Sequence, residues 1–240
     1  MRKIEYLLIP PPAVERYGTT VNSVLQHTWQ QRFGTEGVYI SMGGKRTLYR
    51  PFFLKKYEVM AVLDHVGKLG PGYPKDIEPN EIAQAFQGKN ICVIGGPEGE
   101  VYAAMGATVV GIDPNFKNLP VSKQQRLHEI SEPLSDALAS SMANRFDITT
   151  SSFLFDQGSG LNPDAPFGAD PEKEQGVFSA YLERILQMTK KGGLSFHNGN
   201  MMPYALSGIT QGRCRLIEAI QTLPEDTIDT TSTMVVIQKL

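Results

Sequence analysis

Glycines and a carboxylate before the middle of the chain form a pattern that can hold a nucleotide. Gly95, Gly96 and Gly99 lie within five residues of one another, directly after an apolar run, and Asp113 ends a second apolar run. Glycine lets the backbone come close to a ligand and adopt φ values that other residues avoid. A carboxylate at the tip of the second strand can accept hydrogen bonds from both hydroxyls of a ribose. These residues therefore predict a nucleotide site.

The elements around these residues are predicted to be a strand, a turn, a short helix and a second strand. The run 91–94 has no polar alternation, which is typical of a strand buried on both faces. A helix is expected over 101–105 and a second buried strand over 107–112. In such a unit the turn and the helix N-terminus face the ligand. An ordinary buried strand-helix-strand unit with a tight turn is the alternative.

The chain beyond Asp113 continues to alternate between strands and helices, which indicates an α/β fold. Strands are expected over 126–130, 146–150, 194–196 and 230–239, and helices over 133–142, 175–189 and 214–223. Before residue 89 the apolar periodicity predicts helices over 21–33, 51–66 and 81–86, with a short strand over 38–41. The sheet is therefore expected to follow an N-terminal, mainly helical extension.

Composition and charge narrow the classes of partner. The 240 residues are 41% apolar and 20% charged, with a formal net charge of -2, which is ordinary for a globular protein. Because no basic tract stands out, no nucleic-acid partner is expected. No apolar run reaches the length of a membrane span, so we expect a cytoplasmic protein without a membrane partner. The two cysteines, Cys92 and Cys214, have no metal-ligand spacing, and no metal site is predicted.

Residues 89–240 resemble the class I S-adenosylmethionine-dependent methyltransferases. The sequence VIGGPEG followed by GATVVGIDPN is similar to that family's glycine-rich motif and ribose-binding acid, and RFDITTSS to its strand that ends beside the reactive methyl group. YLERILQMTKKGGLSF is similar to the helix, turn and fifth strand that follow. The resemblance implies a Rossmann-like, mostly parallel sheet with helices on both faces and an antiparallel last strand. It divides the chain into an N-terminal extension or cap, residues 1–88, and a methyltransferase-like domain, residues 89–240.

The resemblance also implies S-adenosylmethionine as the cofactor and assigns roles to single residues. The glycines would form the wall beneath its methionine and ribose portions, and Asp113 would accept the ribose hydroxyls. Pro114 and Glu132 would lie near the adenine, and Ser151 would face the methionine end. The cofactor-binding residues it implies are Gly95, Gly96, Gly99, Asp113, Pro114, Glu132 and Ser151. Two alternatives stay open: residues 131–133 as an ordinary helix start, and Ser151 as a plain serine at a strand end.

Methyl transfer depends mainly on aligning a nucleophile with an activated methyl group, and a base helps when the nucleophile must lose a proton. His197 follows the expected fifth strand, at the carboxyl edge where such sheets bind ligands, and it is the predicted catalytic base. A structural histidine is the alternative at this position.

Two departures from the family pattern keep other functions open. Pro97 replaces the middle glycine of the motif and has no N–H to offer a ligand, and the helix before Asp113 is about one turn short. The function expected is S-adenosylmethionine-dependent methyl transfer to a small molecule. A non-catalytic binding or scaffold protein that has lost its cofactor is the alternative, and a binder of another adenosine nucleotide is a third hypothesis.

Overall fold

The computed structural model describes residues 7–8, 11–34, 38–42, 45–49, 54–66, 79–97, 99–151, 154–155, 171–199, 202–209, 212–222 and 232–240. The chain forms two compact units. One is Pro11–Pro133, and the other joins Met1–Pro10 to Leu134–Leu240. The boundary expected after residue 88 falls inside the first of these units, and it stays a prediction.

Strands and helices alternate along the described part of the chain. The strands are β1 (Leu7–Leu8), β2 (Val38–Met42), β3 (Lys45–Tyr49), β4 (Asn90–Ile94), β5 (Thr108–Ile112), β6 (Leu127–Ile130), β7 (Phe146–Ser151), β8 (Thr189–Asn198), β9 (Cys214–Thr222) and β10 (Ser232–Lys239). The α-helices are α1 (Pro11–Phe33), α2 (Leu54–His65), α3 (Gly99–Ala104), α4 (Asp136–Ser141), α5 (Pro171–Met188) and α6 (Met202–Ser207). Short 3-10 helices cover Pro79–Gln84 and Phe116–Asn118. None of the helices in these ranges is both long and apolar enough to cross a bilayer.

The Pro11–Pro133 unit contains the predicted strand-turn-helix-strand segment. Strands β4, β5 and β6 pair in parallel in that order, with Ile91 opposite Val109 and Val109 opposite Leu127. Four consecutive residues of β4, from Ile91 to Ile94, are buried, as expected for a strand covered on both faces. Helix α3 has six residues, so the short helix predicted from the sequence is confirmed.

Helix α1 is longer than predicted. It begins at Pro11 instead of residue 21 and ends at Phe33. Proline is favoured in the first helical turn, where its missing N–H leaves no partner unsatisfied. Gly34 follows with a φ of +73°, and its N–H donates to the carbonyl oxygen of Gln30 (3.0 Å), which ends the helix.

Helix α2 is a core helix. Five consecutive residues, Val59, Met60, Ala61, Val62 and Leu63, are buried. Because five residues span more than one helical turn, other elements cover this part of the helix on all sides. Helix α1 contacts both α2 and α3. The N-terminal helices therefore supply part of the hydrophobic core of the unit that holds the glycine turn.

In the second unit the strand order is β1-β9-β10-β8-β7. Strands β7 and β8 are parallel, whereas β10 is antiparallel to both β8 and β9. The antiparallel last strand predicted for the fold is thus confirmed. Strand β1 pairs in parallel with β9, so the first described residues join the far edge of this sheet.

The helix predicted over 214–223 is wrong, because this segment is strand β9. Leu216, Ile217 and Ile220 fit a helical spacing, but short apolar patterns of this kind also fit a strand. Pairing decides between the two: β9 runs antiparallel to β10 from Cys214 opposite Lys239 to Thr222 opposite Ser232. Hydrogen bonding to β10 therefore outweighs the weak helical preference of this segment.

Two further boundaries differ from the prediction. Helix α4 begins after Ser135, whose Oγ accepts the N–H of Leu138 (3.2 Å), so residues 131–133 are not a helix start. The segment 190–193 was expected to be a turn between a helix and a strand. Instead α5 ends at Met188 and β8 begins at Thr189, and Gly192 takes a φ of +77° within an irregular part of that strand.

Candidate functional site

The turn after β4 needs glycine at two positions. Gly95 has a φ of +84° and Gly96 a φ of +149°, both in the region where a side chain is strained. The N–H of Gly95 donates to the carbonyl oxygen of Ile112 (3.0 Å). This bond ties the turn to the end of β5, beside Asp113, and leaves the N–H of Gly95 unavailable to a ligand.

Gly99 serves packing in this structure. A Cβ at this position would lie 2.9 Å from Cδ1 of Leu127 and 3.1 Å from Cγ1 of Val109. Because those side chains belong to β6 and β5, the missing side chain lets α3 lie close to the sheet, which is the role of the third glycine in such motifs. The ligand-wall role predicted for Gly99 stays a prediction beside this observed contact.

Replacing Gly99 with alanine is expected to lower the free energy of unfolding by about 1–3 kcal/mol, because the added methyl group overpacks the helix–sheet contact. Urea unfolding at pH 7 measures the change. Gly176 is the matched control, since it lies in α5 with nothing within 4 Å of an added Cβ. There, alanine is expected to raise stability by up to about 1 kcal/mol. A similar effect at both positions would contradict the packing role of Gly99.

Pro97 contributes a carbonyl group where it cannot contribute an N–H. Its oxygen accepts the N–H of Glu100 (3.2 Å), which links the turn to the first residues of α3. Helix α3 is enclosed, with Gly99, Glu100, Val101, Tyr102 and Ala103 all buried. The proline therefore fits an ordered turn at the start of a short helix that the rest of the unit surrounds.

Asp113 holds one carboxylate oxygen in place and leaves the other uncommitted. Its Oδ1 accepts the backbone N–H of Asn115 (2.7 Å) and the Nδ2 of the same residue (3.0 Å). Its Oδ2 has no hydrogen-bond partner among the described residues. Burial raises the pKa of Asp113, and the two bonds from Asn115 oppose that rise. The half-buried side chain can therefore accept a hydrogen bond from a ligand through Oδ2.

The end of β6 lies beside Asp113, because the N–H of Asp113 donates to the carbonyl oxygen of Ile130 (3.1 Å). Glu132 comes two residues later and is exposed, as is Pro114. No described contact joins Glu132 to Asp113. The adenine-edge roles of Pro114 and Glu132 thus stay predictions.

A buried ion cluster that the sequence did not indicate holds α3 against α1. The cluster is Arg32, Glu100 and Glu129. Nη1 of Arg32 donates to Oε1 of Glu100 (2.9 Å) and to Oε1 of Glu129 (2.7 Å), and its Nη2 donates to Oε2 of Glu129 (2.9 Å). Its Nε donates to the carbonyl oxygen of Pro120 (2.8 Å). The guanidinium therefore joins α1, the residue after the glycine turn and β6.

Helix α2 holds α3 by a second polar contact. The hydroxyl of Tyr102 donates to Oε1 of Glu58 (3.0 Å), and both side chains are buried. The ring of Tyr102 also packs edge-on against Phe86, with 5.3 Å between centroids. No local pattern could have revealed these contacts, because the partners lie far apart in sequence, 44 residues for Tyr102 and Glu58 and 68 for Arg32 and Glu100.

Ser151 and His197 lie in the other unit, side by side on the paired strands β7 and β8. Nδ1 of His197 is 2.7 Å from Oγ of Ser151, and Nε2 contacts Oγ of Ser195. Burial lowers the pKa of His197 to about 3, so the ring is neutral at physiological pH. As a base it would act through Ser151, the group at its Nδ1. Its catalytic role and the cofactor role of Ser151 stay predictions.

Comparisons with known proteins give matches in structure. No family model and no curated protein matches the sequence significantly. The branched-chain polyamine synthase of Thermus thermophilus, solved with N4-aminopropylspermidine and 5'-methylthioadenosine, matches with a TM-score of 0.55 at 12% identity, over 95% of this chain and 65% of that one. TrmN from Thermus thermophilus gives 0.48 at 12% identity, over 67% and 46%. An rRNA methylase from Streptococcus thermophilus gives 0.44 at 15% identity, over 67% and 93%.

The chain spans about half the length of TrmN, with 46% covered, and 65% of the polyamine synthase. The solved structures that match include an rRNA methylase. The expectation that no nucleic acid would be a partner is therefore wrong. That expectation was based on the small net charge of the chain, and net charge does not reveal whether basic residues cluster in one part of the surface.

The predicted fold class and the predicted resemblance are confirmed. The parallel β4-β5-β6 strands with their glycine turn, the parallel β7-β8 pair and the antiparallel last strand are all described. The polyamine synthase shares this fold over 95% of the present chain. The chain has the α/β, Rossmann-like fold of the class I S-adenosylmethionine-dependent methyltransferases.

Proposed function

We propose that this protein binds S-adenosylmethionine and transfers its methyl group to a small molecule. The observation that carries the proposal is the carboxylate of Asp113. Asn115 fixes one of its oxygens, and the other has no partner among the described residues. A carboxylate oriented in this way at the tip of the second strand is suited to accept a ribose hydroxyl.

The geometry of the glycine turn supports the same proposal. Gly95 and Gly96 keep the backbone free of side chains next to Asp113, and the bond from Gly95 to Ile112 fixes that turn at the strand end. Arg32 and Glu58 hold the short helix that follows. The loss of one helical turn is thus accompanied by contacts that keep α3 in place.

The alternative is a non-catalytic binding or scaffold protein. Its support is that α3 has six residues and that Pro97 offers no N–H to a ligand. For either function we also propose a cytoplasmic location, which is the one expected from the sequence.

Binding of adenosine ligands tests the proposal. S-adenosylhomocysteine is expected to raise the Tm of the protein, and Asp113→Ala is expected to weaken its binding about tenfold or more, because a hydrogen bond to a charged group contributes roughly 1.5–3 kcal/mol. Asp136→Ala is the matched control, because Asp136 is an exposed aspartate of the other unit. Calorimetric titration of both variants measures the difference.

Each alternative has its own outcome. A shift of Tm with NAD or ATP alone would favour a binder of another adenosine nucleotide, and no shift with any nucleotide would favour the scaffold. Incubation with methyl-labelled S-adenosylmethionine and a cell extract then identifies the acceptor. Label in the small-molecule fraction supports the proposed acceptor class, whereas label in RNA or protein overturns it.

A further inference from the structure

A chain of buried side-chain hydrogen bonds runs from helix α5 to the last residue of β7. It contains five contacts. They are Thr189 Oγ1 to the carbonyl oxygen of Ile185 (2.9 Å), Thr149 Oγ1 to Thr189 Oγ1 (3.0 Å), Ser195 Oγ to Thr149 Oγ1 (2.7 Å), His197 Nε2 to Ser195 Oγ, and Ser151 Oγ to His197 Nδ1 (2.7 Å). All five contributing side chains are buried. The contacts therefore form one continuous path without a charged member.

The number of protons fixes the direction of every bond in this path. Four hydroxyl groups and one neutral imidazole carry five exchangeable protons for five contacts. The carbonyl oxygen of Ile185 can only accept, so the hydroxyl of Thr189 must donate to it. Thr149 must then donate to Thr189, and Ser195 must donate to Thr149.

The same count determines which ring nitrogen of His197 carries the proton. Because the proton of Ser195 is already used, Nε2 of His197 must carry the ring proton and donate it to Ser195. Nδ1 is then an acceptor, and the hydroxyl of Ser151 donates to it. The neutral form required here is the one expected of a buried ring with no charged partner among its described contacts.

We infer that the hydroxyls of Thr189, Thr149 and Ser195 form a one-way hydrogen-bond chain that fixes the proton of His197 on Nε2 and directs the hydroxyl proton of Ser151 to Nδ1. These three hydroxyl groups are positioning residues, because they act on Ser151 through His197. The strands align them, since Thr149 lies opposite Ser195 and Ser151 opposite His197 in the parallel pair.

Packing keeps the imidazole in this orientation. The ring of Phe155 lies edge-on to that of His197, with 5.3 Å between centroids. Phe155 in turn contacts Phe178 of α5, with 6.3 Å between centroids. The backbone of Phe155 leaves room for no side chain at position 199, where a Cβ would lie 2.4 Å from its carbonyl carbon. The residues after β7 and β8 are therefore held together around the imidazole.

NMR of the ring nitrogens tests the chain without any ligand. In ¹⁵N-labelled protein at pH 7, Nε2 of His197 is expected to be protonated and Nδ1 unprotonated, with signals assigned by their loss in His197→Gln. Thr189→Val removes the link to Ile185, so Thr149 is free to donate to Ser195, and the form protonated on Nδ1 should appear. Thr189→Ser keeps the hydroxyl and should restore the wild-type spectrum.

Thr149→Val removes the hydroxyl in the middle of the path, and the form of His197 protonated on Nδ1 should appear in this variant too. It replaces Thr189→Val in the test if that variant does not fold. A wild-type ring protonated on Nδ1 would overturn the inference. An unchanged ring in the folded valine variants would also overturn it, because a purely structural role predicts no change of tautomer.

Discussion

Replacing Arg32 with alanine is expected to lower the free energy of unfolding by about 3–5 kcal/mol, the range observed when one member of a buried ion pair is removed. The side chain of Arg32 is 1% exposed, and those of Glu100 and Glu129 are 7% and 16% exposed. Removal of the guanidinium leaves two carboxylates near each other, with no other cation bonded to them among the described residues. Burial already raises the pKa of Glu100, so its charged form depends on the contacts that remain.

Urea unfolding of two further variants separates the ion cluster from general loss of packing. Arg184→Ala removes an arginine whose partner, Asp136, has a side chain that is 83% exposed, and it is expected to cost no more than about 1 kcal/mol. A triple variant, Arg32→Met with Glu100→Gln and Glu129→Gln, removes all three charges and should recover much of the loss. If Arg32→Ala were as mild as Arg184→Ala, the cluster would not hold α3 in place.

Acidification from pH 7 to pH 4.5 is expected to remove about 2.5–3 kcal/mol of stability through His197 alone. The ring of the unfolded chain takes up a proton below about pH 6.5, whereas the buried ring resists protonation until about pH 3. Its contribution is therefore fully present above pH 6.5 and is lost as the pH falls toward 3. The slope in this window is about 1.4 kcal/mol per pH unit.

Urea unfolding at several pH values between 7 and 4.5 measures this slope. Carboxylates titrate in the same window, so the quantity to compare is the difference between the wild type and His197→Gln, which lacks the imidazole. His27→Gln is the matched control, because His27 is exposed on α1 and bonds to Gln31 (2.8 Å). A wild-type slope equal to that of His197→Gln would show that the ring is protonated as readily in the folded state as in the unfolded chain.

The two strands that flank the glycine turn and α3 could be predicted from the sequence almost residue by residue. Strands β4 and β5 were predicted within one residue, because unbroken apolar runs between glycine turns leave few other structures. Asp113 was placed correctly at the tip of β5 for the same reason. In these segments the local pattern and the tertiary contacts favour the same structure.

Features set by partners distant in sequence could not be predicted. Strand β9 pairs with β10, and neither its helical spacing nor its composition indicates that partner. The sequence around Arg32 does not indicate its partner, because Glu129 lies 97 residues further along the chain. His197 was identified as a candidate, but the register of β7 and β8, which places a serine at each ring nitrogen, is visible only in the folded structure.

The contacts of Arg32 also have a kinetic consequence. Partners 68 and 97 residues away give this cluster a high contact order, and such contacts form late because a long loop must close first. During synthesis, α1 leaves the ribosome well before Glu129 has been added to the chain. The guanidinium of Arg32 is therefore solvated and has no carboxylate partner at that stage. We expect the N-terminal helices and the glycine turn to fold as one cooperative event after residue 129 has emerged, and not as a cap that forms on its own.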